Sequence, residues 1–377
     1  MAKSVFLTGA TGTIGSALVP ELLRQPQTRI TLLVRARDDA DLAARMAEMG
    51  RYWGATPDGT DTGRVQALRG DIAQPRFGLD DVQYERLVQD TTHIVHCAAS
   101  VKLNMSLEEA RATAVTPTRS MLELARRARD AGPLRKVDLV STVGVWGRTP
   151  GVMPERRLPE VDSFHNTYEA AKSEAEKVVW DEGDGLPITV HRPSMVVGET
   201  GSGRVIHFQV FYHLCEFLSG VRTFGVMPTL GTVRLDTIPV DWVAQAIAWS
   251  SDRPEMAGRI LHLCSGAERS IPLTRLQQVV RQTWRAAGRP VPRLWGVSRR
   301  LLESAVPVIG LLAGESTRRA LRGLPPVLAY LAEDQGFGNA ETARLLADAG
   351  LPVPKVEDYL PQVLDHYLQR RRTPAAR

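Results

Sequence analysis

Residues 4–15 read SVFLTGATGTIG, and this stretch decides the fold. It opens with a short apolar run typical of a buried strand, and Ser16 to Arg24 then has the apolar spacing of a helix. Small residues between a strand and a helix let the backbone approach a pyrophosphate, and the helix N-terminus supplies N–H donors and a partial positive charge. We therefore predict a dinucleotide phosphate loop formed by Thr8, Gly9, Thr11, Gly12, Thr13, Ile14 and Gly15.

Strand-like and helix-like segments alternate over roughly the first 195 residues. The later predicted strands are Ile30 to Val34, Val65 to Arg69, His93 to Cys97, Lys136 to Ser141 and Ile188 to His191. Strands separated by helices indicate βαβ units and a parallel sheet. We predict an α/β fold with a Rossmann-type doubly wound parallel sheet and a smaller, mostly helical C-terminal substrate region.

The predicted domain boundaries follow from where this alternation stops. The NADP-binding Rossmann domain would span residues 1–200, and residues 236–265 would return to its sheet, beginning with a strand–helix unit at Thr237 to Ser250. Residues 201–235 and 266–377 would form the substrate-binding, mostly helical region.

Composition excludes several classes of protein. Of the 377 residues, 43% are hydrophobic and 24% charged, which are ordinary values for a globular chain. No apolar run reaches the roughly 18 residues that cross a bilayer, and Ala305 to Gly314 is too short. The three cysteines lie far apart and the histidines form no metal-ligand pair. The N-terminus lacks the pattern of a signal peptide. We therefore expect a cytoplasmic protein that holds no metal.

The basic residues are unevenly distributed. The formal net charge is +5, yet arginines cluster between Arg281 and Arg322 with only Glu303 and Glu315 against them. A solvated helical face is one interpretation. The other is a surface for a phosphate-bearing partner, such as a coenzyme A or carrier-protein arm, or for an anionic membrane. No helix-turn-helix, finger or RNA-binding motif accompanies the charge, so we expect no nucleic-acid partner.

The second strand runs into Arg35-Ala36-Arg37, which bears on the choice of cofactor. A dinucleotide fold that prefers NAD usually has an acidic residue here to accept from the ribose 2′-hydroxyl. A guanidinium instead favours a 2′-phosphate by its charge and its forked donors. We predict NADP(H), bound chiefly by Arg35, whereas Arg37 could equally face solvent.

Two further strand ends are predicted to border the cofactor. Asp71 and Ile72 follow the third strand, where Asp71 could accept from the adenine amino group. Small residues end the fourth strand, as is needed where the backbone passes close to a ligand, and these are Cys97, Ala98 and Ala99.

A candidate catalytic group is formed by Tyr168 and Lys172, which lie at i and i+4 and so on one face of a helix. A phenol has an ordinary pKa of about 10, and a nearby ammonium lowers that pKa by favouring the phenolate. Lys172 could also hold the nicotinamide ribose. Thr142 ends the fifth strand and is preferred over Ser141 as the hydroxyl, although a capping role is the alternative. Together these side chains would polarise a carbonyl and exchange a proton with it.

The motifs TGATGTIG, GDI, HCAASV, VSTVGVWG, YEAAK and HRPSMVVG, in this order and spacing, resemble those of an extended short-chain dehydrogenase/reductase. Finer details resemble the thioester-reductase and fatty-acyl-reductase branch, also called male-sterility-like. The residues that carry this second likeness are His96 to Asn104, Asn166 to Tyr168, Arg192 to Gly198 with Thr200 and Gly201, Asp236 to Asp241, and His262 with Leu263.

This resemblance implies a reductase for acyl thioesters bound to coenzyme A or to a carrier, with an aldehyde or alcohol as product. NADPH would deliver the hydride, Tyr168 and Thr142 would stabilise the oxyanion, and Pro193, Ser194 and Val196 would border the nicotinamide. No adenylation or carrier domain is recognised in the sequence, so we expect the activated acyl group to come from elsewhere. A ketone or alcohol oxidoreductase for a lipid-like or polyketide-like substrate is the alternative enzyme. A non-catalytic NADP sensor is a third hypothesis, which the intact Thr142, Tyr168 and Lys172 disfavour.

Two positions depart from the pattern of the superfamily. Ala114 stands where relatives often have an asparagine that organises a water relay, and Trp146 stands where a tyrosine is common. On the substrate side, aromatic residues could line an apolar acyl pocket or belong to the core, and these are Phe208, Phe211, Tyr212, Phe217, Phe224 and Trp295. Likewise, His207 and His213 could contact substrate or lie at the surface.

Overall fold

The structure is a computed structural model that describes residues 2–54, 62–103, 105–297 and 335–371. The predicted phosphate loop and the three predicted catalytic residues lie within these ranges. Asn104, the apolar stretch at 305–314 and the arginines from Arg299 to Arg322 lie outside the described residues.

Strands and helices alternate through the first half of the chain, as predicted. The strands are β1 (Ser4–Thr8), β2 (Arg29–Val34), β3 (Val65–Arg69), β4 (His93–His96), β5 (Lys136–Val140), β6 (Gly151–Met153), β7 (Ile188–Pro193), β8 (Met195–Val197), β9 (Val226–Pro228), β10 (Arg234–Leu235), β11 (Thr237–Pro239), β12 (Ile260–Leu263), β13 (Ile271–Pro272), β14 (Trp295–Val297) and β15 (Gln335–Phe337). The α-helices are α1 (Thr13–Leu23), α2 (Asp39–Gly54), α3 (Asp81–Asp90), α4 (Leu107–Asp130), α5 (Thr167–Glu182), α6 (Val210–Leu218), α7 (Val240–Ser251), α8 (Leu273–Ala286), α9 (Ala340–Asp348) and α10 (Val356–Arg370).

Seven parallel strands form the central sheet, in the order β12-β7-β5-β4-β1-β2-β3. The chain builds one half outward from β1 through β2 to β3 and then returns to β4 on the other side of β1. Connections that leave β1 and β4 in opposite directions open a crevice at the carboxyl ends of these strands, and ligands of such folds bind there. The predicted α/β fold of the Rossmann type is confirmed.

Helices cover both faces of this sheet. One buried apolar cluster joins the sheet to α1, α2 and α7, and a second joins it to α3, α4 and α5. Strands buried on both faces are nearly all apolar, which is why β1 has a hydrophobic centre. Strand β4 has the apolar pair Ile94 and Val95 between two buried histidines. A third apolar cluster lies among α6, α8 and α10, away from the sheet, and includes Phe211, Leu276 and Tyr359.

The strand that returns to the sheet differs from the one that the sequence predicts. Thr237–Pro239 pairs with β8 in a separate two-stranded sheet, whereas Ile260–Leu263 pairs with β7 at the edge of the main sheet. Residues 236–265 therefore do rejoin the sheet, but through β12 after the helix α7. Among the described residues, no helix is both long and apolar enough to cross a membrane.

Candidate active site

The predicted phosphate loop is a tight turn at the carboxyl end of β1. Gly9 has φ +79°, and a Cβ at this position would lie 2.7 Å from the backbone nitrogen of Ala98. A Cβ on Gly15 would collide with the carbonyl oxygen of Gly9. Gly12 donates its N–H to that same carbonyl at 2.9 Å, and it has no side chain with which to cap α1. The loop thus keeps a backbone cradle and the first N–H groups of α1 for an anionic ligand.

Thr8 ties the loop to the neighbouring strand. Its side chain is fully buried, and its hydroxyl oxygen lies 2.9 Å from Nδ1 of His96 and accepts from the backbone N–H of Ala98 at 3.3 Å. These bonds hold the run from Cys97 to Ala99 against the glycine turn, where the sequence places it. The side chain of Thr8 therefore positions β4, and its contact with a cofactor stays a prediction.

Two residues from a distant part of the chain contact the loop. The Gln209 amide donates to the hydroxyl of Thr13 at 2.6 Å, and Nε2 of His207 lies 3.2 Å from the carbonyl oxygen of Thr11. The sequence suggested His207 only as a possible substrate contact and passed over Gln209. Neither contact has a local signal, because 196 positions separate the partners.

A cavity of about 620 Å³ lies at the carboxyl ends of β2 and β3, on the same edge of the sheet as the loop. Arg35 and Asp71 line it, as the sequence predicts, and so does Arg69. Arg69 lies opposite Val34 in the strand register, so its cation comes close to the end of β2. That pairing of β2 with β3 cannot be read from either strand alone.

Arg37 and Ile72, which were also predicted at this end of the sheet, lie outside the cavity. The Arg37 side chain is 87% exposed and pairs with Asp41 at 3.5 Å, and it does not line the cavity. This geometry favours the interpretation that Arg37 faces solvent. Ile72 is half-buried and packs against the cluster beneath α3 and α4.

Thr142 and Tyr168 are brought together from two elements. Asn166 caps α5 by accepting from the N–H of Glu169 at 3.0 Å, which sets the start of the helix that carries Tyr168. Thr142 precedes a short 3-10 turn and accepts from the N–H of Gly144 at 3.1 Å. Its side chain also lies beside the phenol of Tyr168, within reach of a hydrogen bond that lowers the pKa of that phenol.

Burial raises the pKa of Tyr168 to about 12, and the hydrogen bond with Thr142 lowers it only in part. The sequence predicts the opposite direction, on the ground that Lys172 would favour the phenolate. In the structure the Lys172 ammonium donates to the carbonyl oxygen of Val140 at 2.8 Å, so its nearest bond is to the end of β5. The phenol is consequently protonated at neutral pH and can act as a donor.

A buried ion pair between Glu176 and Arg192 lies one turn along α5 from Lys172. Burial lowers the pKa of Lys172 to about 8, and the Glu176 carboxylate opposes this shift. Arg192 binds Glu176 with two nitrogens, at 2.9 Å for Nε to Oε1 and 2.6 Å for Nη2 to Oε2. Arg192 lies in the HRP motif of β7 but was not predicted to act at the site. Its burial beside an acidic residue of α5 depends on packing of the sheet against that helix.

The residues predicted to border the nicotinamide lie where β7 ends and β8 begins. Pro193 closes β7, and Val196 pairs with Ile238 across the small sheet. The buried carboxylate of Asp236 accepts from the backbone N–H groups of Ser265 at 2.8 Å and Gly266 at 2.9 Å, and burial raises the pKa of this carboxyl to about 6. A cofactor contact of Pro193, Ser194 and Val196 stays a prediction.

The aromatic residues for which a pocket and a core role were both considered fall into different environments. Phe211, Tyr212 and Phe217 are buried in the core between α6, α8 and α10, which agrees with the core interpretation. Phe208 packs on the rings of Tyr212 and Tyr367 at centroid distances of 4.8 Å. By contrast, the side chains of Phe224 and Trp295 lie at the surface, and His213 lies on the exposed side of α6.

Comparison with known proteins gives consistent results. The family model described as "Male sterility protein" matches residues 7–247. An isonitrile lipopeptide synthase from Streptomyces coeruleorubidus is 32% identical over 67% of this chain, which spans 17% of that protein. Fatty acyl-CoA reductase 1 from Pongo abelii is 28% identical over 66% of the chain, which spans 55% of it. The crystal structure of the terminal R domain from the myxalamid PKS-NRPS biosynthetic pathway superposes with a TM-score of 0.84 at 27% identity, covering 100% of this chain and 92% of that one.

Proposed function

The chain belongs to the male sterility protein family of extended short-chain dehydrogenases/reductases, and from that premise we propose that it uses NADPH to reduce an acyl thioester. The observation that carries this proposal is the closeness of the Thr142 and Tyr168 side chains, with Lys172 one helical turn from Tyr168 on α5. This group lies at the carboxyl end of β5, on the same edge of the sheet as the glycine loop.

The shape and charge of the adenosine end support NADPH over NADH. The glycine cradle fits a pyrophosphate, because a Cβ on Gly9 or Gly15 would fill the space that the backbone leaves. Beside it, the cavity offers the guanidinium of Arg35 for a 2′-phosphate, and Asp71 offers a carboxylate for the adenine amino group. Arg69 also lines this cavity, where it pairs with Asp39 at 3.3 Å and would have to exchange that carboxylate for the phosphate. The Rossmann part, residues 1–200 with 236–265, would hold this cofactor, and the remainder would bind the acyl group.

NADPH supplies a hydride when it is bound. For an acyl thioester the carbonyl carbon gains one C–H bond, and the developing oxyanion is stabilised by hydrogen bonds from Tyr168 and Thr142. The C–S bond then breaks, and the sulfur leaves as a thiolate that takes up a proton. One thioester, one NADPH and one proton give one aldehyde, one thiol and one NADP⁺. A second hydride and a second proton would convert the aldehyde into the alcohol.

The environment of Tyr168 suits the reductive direction. A phenol whose pKa is raised to about 12 by burial is neutral at pH 7 and donates to the carbonyl oxygen. Lys172, whose pKa is lowered to about 8, is still mostly charged at pH 7 and can both hold a ribose hydroxyl and replace the lost phenolic proton. The acid role thus requires Tyr168 to carry its proton and Lys172 to remain close by.

The test gives the purified chain NADPH with octanoyl-CoA, octanoyl-pantetheine, octanal and a bulky ketone in separate assays, and follows loss of NADPH. Oxidation that depends on a thioester supports the proposal, and turnover of the ketone alone contradicts it. Tyr168→Phe should lower kcat/KM by about 10²- to 10⁴-fold and leave the Kd for NADPH nearly unchanged.

Tyr84→Phe is the matched control for that variant. Tyr84 is a buried phenol on α3 whose hydroxyl has no hydrogen-bond partner among the described residues. The same chemical change there should leave turnover intact. Full residual activity of Tyr168→Phe would exclude the acid role.

A further inference from the structure

An exposed aromatic surface lies far from the sheet, at the end of α6. The side chain of Phe224 is 81% exposed and that of Trp295 is 66% exposed. The two residues belong to neighbouring segments, because Trp295 pairs with Val226 and donates its N–H to the carbonyl of Gly225 at 2.8 Å. Large aromatic side chains at the surface of a protein mark interaction sites more often than isolated aliphatic ones do.

Hydrogen bonds and close packing fix the two segments of this surface to each other. Buried Arg281 donates to the carbonyl oxygens of Ser219 at 2.7 Å and Pro292 at 2.6 Å, and so fastens the segment before Phe224 to the segment before Trp295. Gly225 packs directly on the carbonyl of Arg293. Phe224 has φ +51°, a left-handed conformation that is costly for an aromatic residue. A strained aromatic residue that is held in solvent by its surroundings points to a partner that binds it.

Positive charge predominates around this surface. Residues 217–235 and 269–297 contain eight arginines, no lysine, and no aspartate or glutamate. Arg222 is paired with the buried Glu216 and Arg281 is engaged internally, but Arg285 and Arg293 are exposed. Arginine together with Trp and Phe is the composition of protein interfaces, and a basic surface attracts an acidic partner.

Helix α6 connects this surface to the cofactor crevice. Gln209, which caps its start, donates to Thr13 of the glycine loop, and the helix ends at Leu218 just before the aromatic segment. A helix of this length rises about 14 Å. Tyr212 on the same helix accepts from the N–H of Gly198, next to the strand that follows Pro193. A partner seated on the aromatic surface is therefore one short helix away from the crevice.

We propose that the surface formed by Phe224, Trp295, Arg285 and Arg293 docks an acidic acyl-carrier domain that delivers its thioester to the site. This inference rests on the proposed function, since only a thioester reductase needs such a donor. The carrier's acidic side chains would pair with the arginines while its apolar side chains cover the two rings. Docking rather than chemistry would then depend on these four residues.

The experiment compares two donors of the same acyl group. The full chain is assayed with NADPH on octanoyl-pantetheine and on an octanoyl-loaded, acidic carrier domain of a nonribosomal peptide synthetase. The variants are Phe224→Gly, which suits the left-handed backbone, Trp295→Thr and Arg293→Glu. Each should raise KM for the loaded carrier about 10-fold or more, as expected for a hot spot. Each should leave kcat/KM for octanoyl-pantetheine unchanged, and added salt should weaken the carrier reaction of the wild type.

The matched control changes an exposed apolar residue and an exposed arginine on the opposite part of the molecule. Val82→Ser and Arg86→Glu, one turn apart on α3, meet this description and should affect neither donor. If the wild type reduces neither donor, the proposed function itself is refuted. Wild-type turnover of octanoyl-pantetheine without turnover of the loaded carrier would overturn the docking inference alone. So would surface variants whose kinetics with the loaded carrier equal those of the wild type.

Discussion

Acidification should destabilise this protein steeply below pH 6.5, because the fold buries histidines in their neutral form. Burial lowers the pKa of His93 to about 4 and those of His96 and His262 to about 3. His262 shows why: Nδ1 bonds the carbonyl of Gly338 at 2.7 Å, and Nε2 lies 3.2 Å from a nitrogen of Arg192. A second proton on this ring would face a buried guanidinium.

The magnitude follows from proton linkage. Unfolded histidines take up protons below about pH 6.5 while these three do not, so each of the three lowers the free energy of unfolding by about 2 kcal/mol at pH 5. Burial also lowers the pKa of His191, which acts in the same direction. Asp236 acts in the opposite direction, since burial raises its pKa to about 6 and the folded state therefore binds a proton first. This protonation raises the free energy of unfolding by about 1 kcal/mol between pH 7.5 and pH 5. The net loss from pH 7.5 to pH 5 is about 4 to 5 kcal/mol, a large part of the stability of an ordinary domain.

Urea unfolding measured by tryptophan fluorescence between pH 7.5 and pH 5 tests this expectation. His262→Gln keeps an amide donor for Gly338 and an acceptor for Arg192, and it should reduce the pH-dependent loss by about 2 kcal/mol whatever its effect at pH 7.5. The control is His207→Gln at an exposed position, which should leave the pH dependence unaltered. A urea midpoint that stays constant or rises on acidification would show that these rings are not buried as neutral groups.

Three other predictions concern the site. Arg35→Ala and Arg69→Ala should each lower the ratio of kcat/KM for NADPH to kcat/KM for NADH. Unchanged ratios would contradict a 2′-phosphate site at these residues. Glu176→Gln should move the alkaline limb of the pH–rate profile to lower pH, because the carboxylate that raises the pKa of Lys172 is lost. A profile identical to that of the wild type would show that Glu176 does not keep Lys172 charged. Gly9→Ala should weaken NADPH binding measured by fluorescence titration, since its Cβ would crowd Ala98 in a left-handed turn, and wild-type affinity would show that the loop does not cradle the cofactor.

The first strand, the glycine turn and the helix of Tyr168 could be predicted because each depends on residues that are close together in the sequence. The strand, glycine turn and helix at residues 4–23 depend on apolar spacing and on small residues within a dozen positions of one another. The spacing of Tyr168 and Lys172 is likewise fixed by helix geometry, so their shared face needed no knowledge of the rest of the chain. Helices between successive strands predict that the strands run parallel, and the strands of the observed central sheet do so.

The tertiary structure alone decided which groups meet and how they are charged. Arg69 reaches the cavity only because β3 lies beside β2, and Gln209 reaches the loop across 196 positions. The pKa of Tyr168 rises because burial outweighs the bond from Thr142, and desolvation is a property of the packed site and not of residue spacing. The sequence by itself thus determined the sheet, the glycine turn and the family, since these depend on short-range periodicity and local motifs. Long-range packing determined the protonation of the site and the exposed aromatic surface, because burial and partners are set only when distant segments come together.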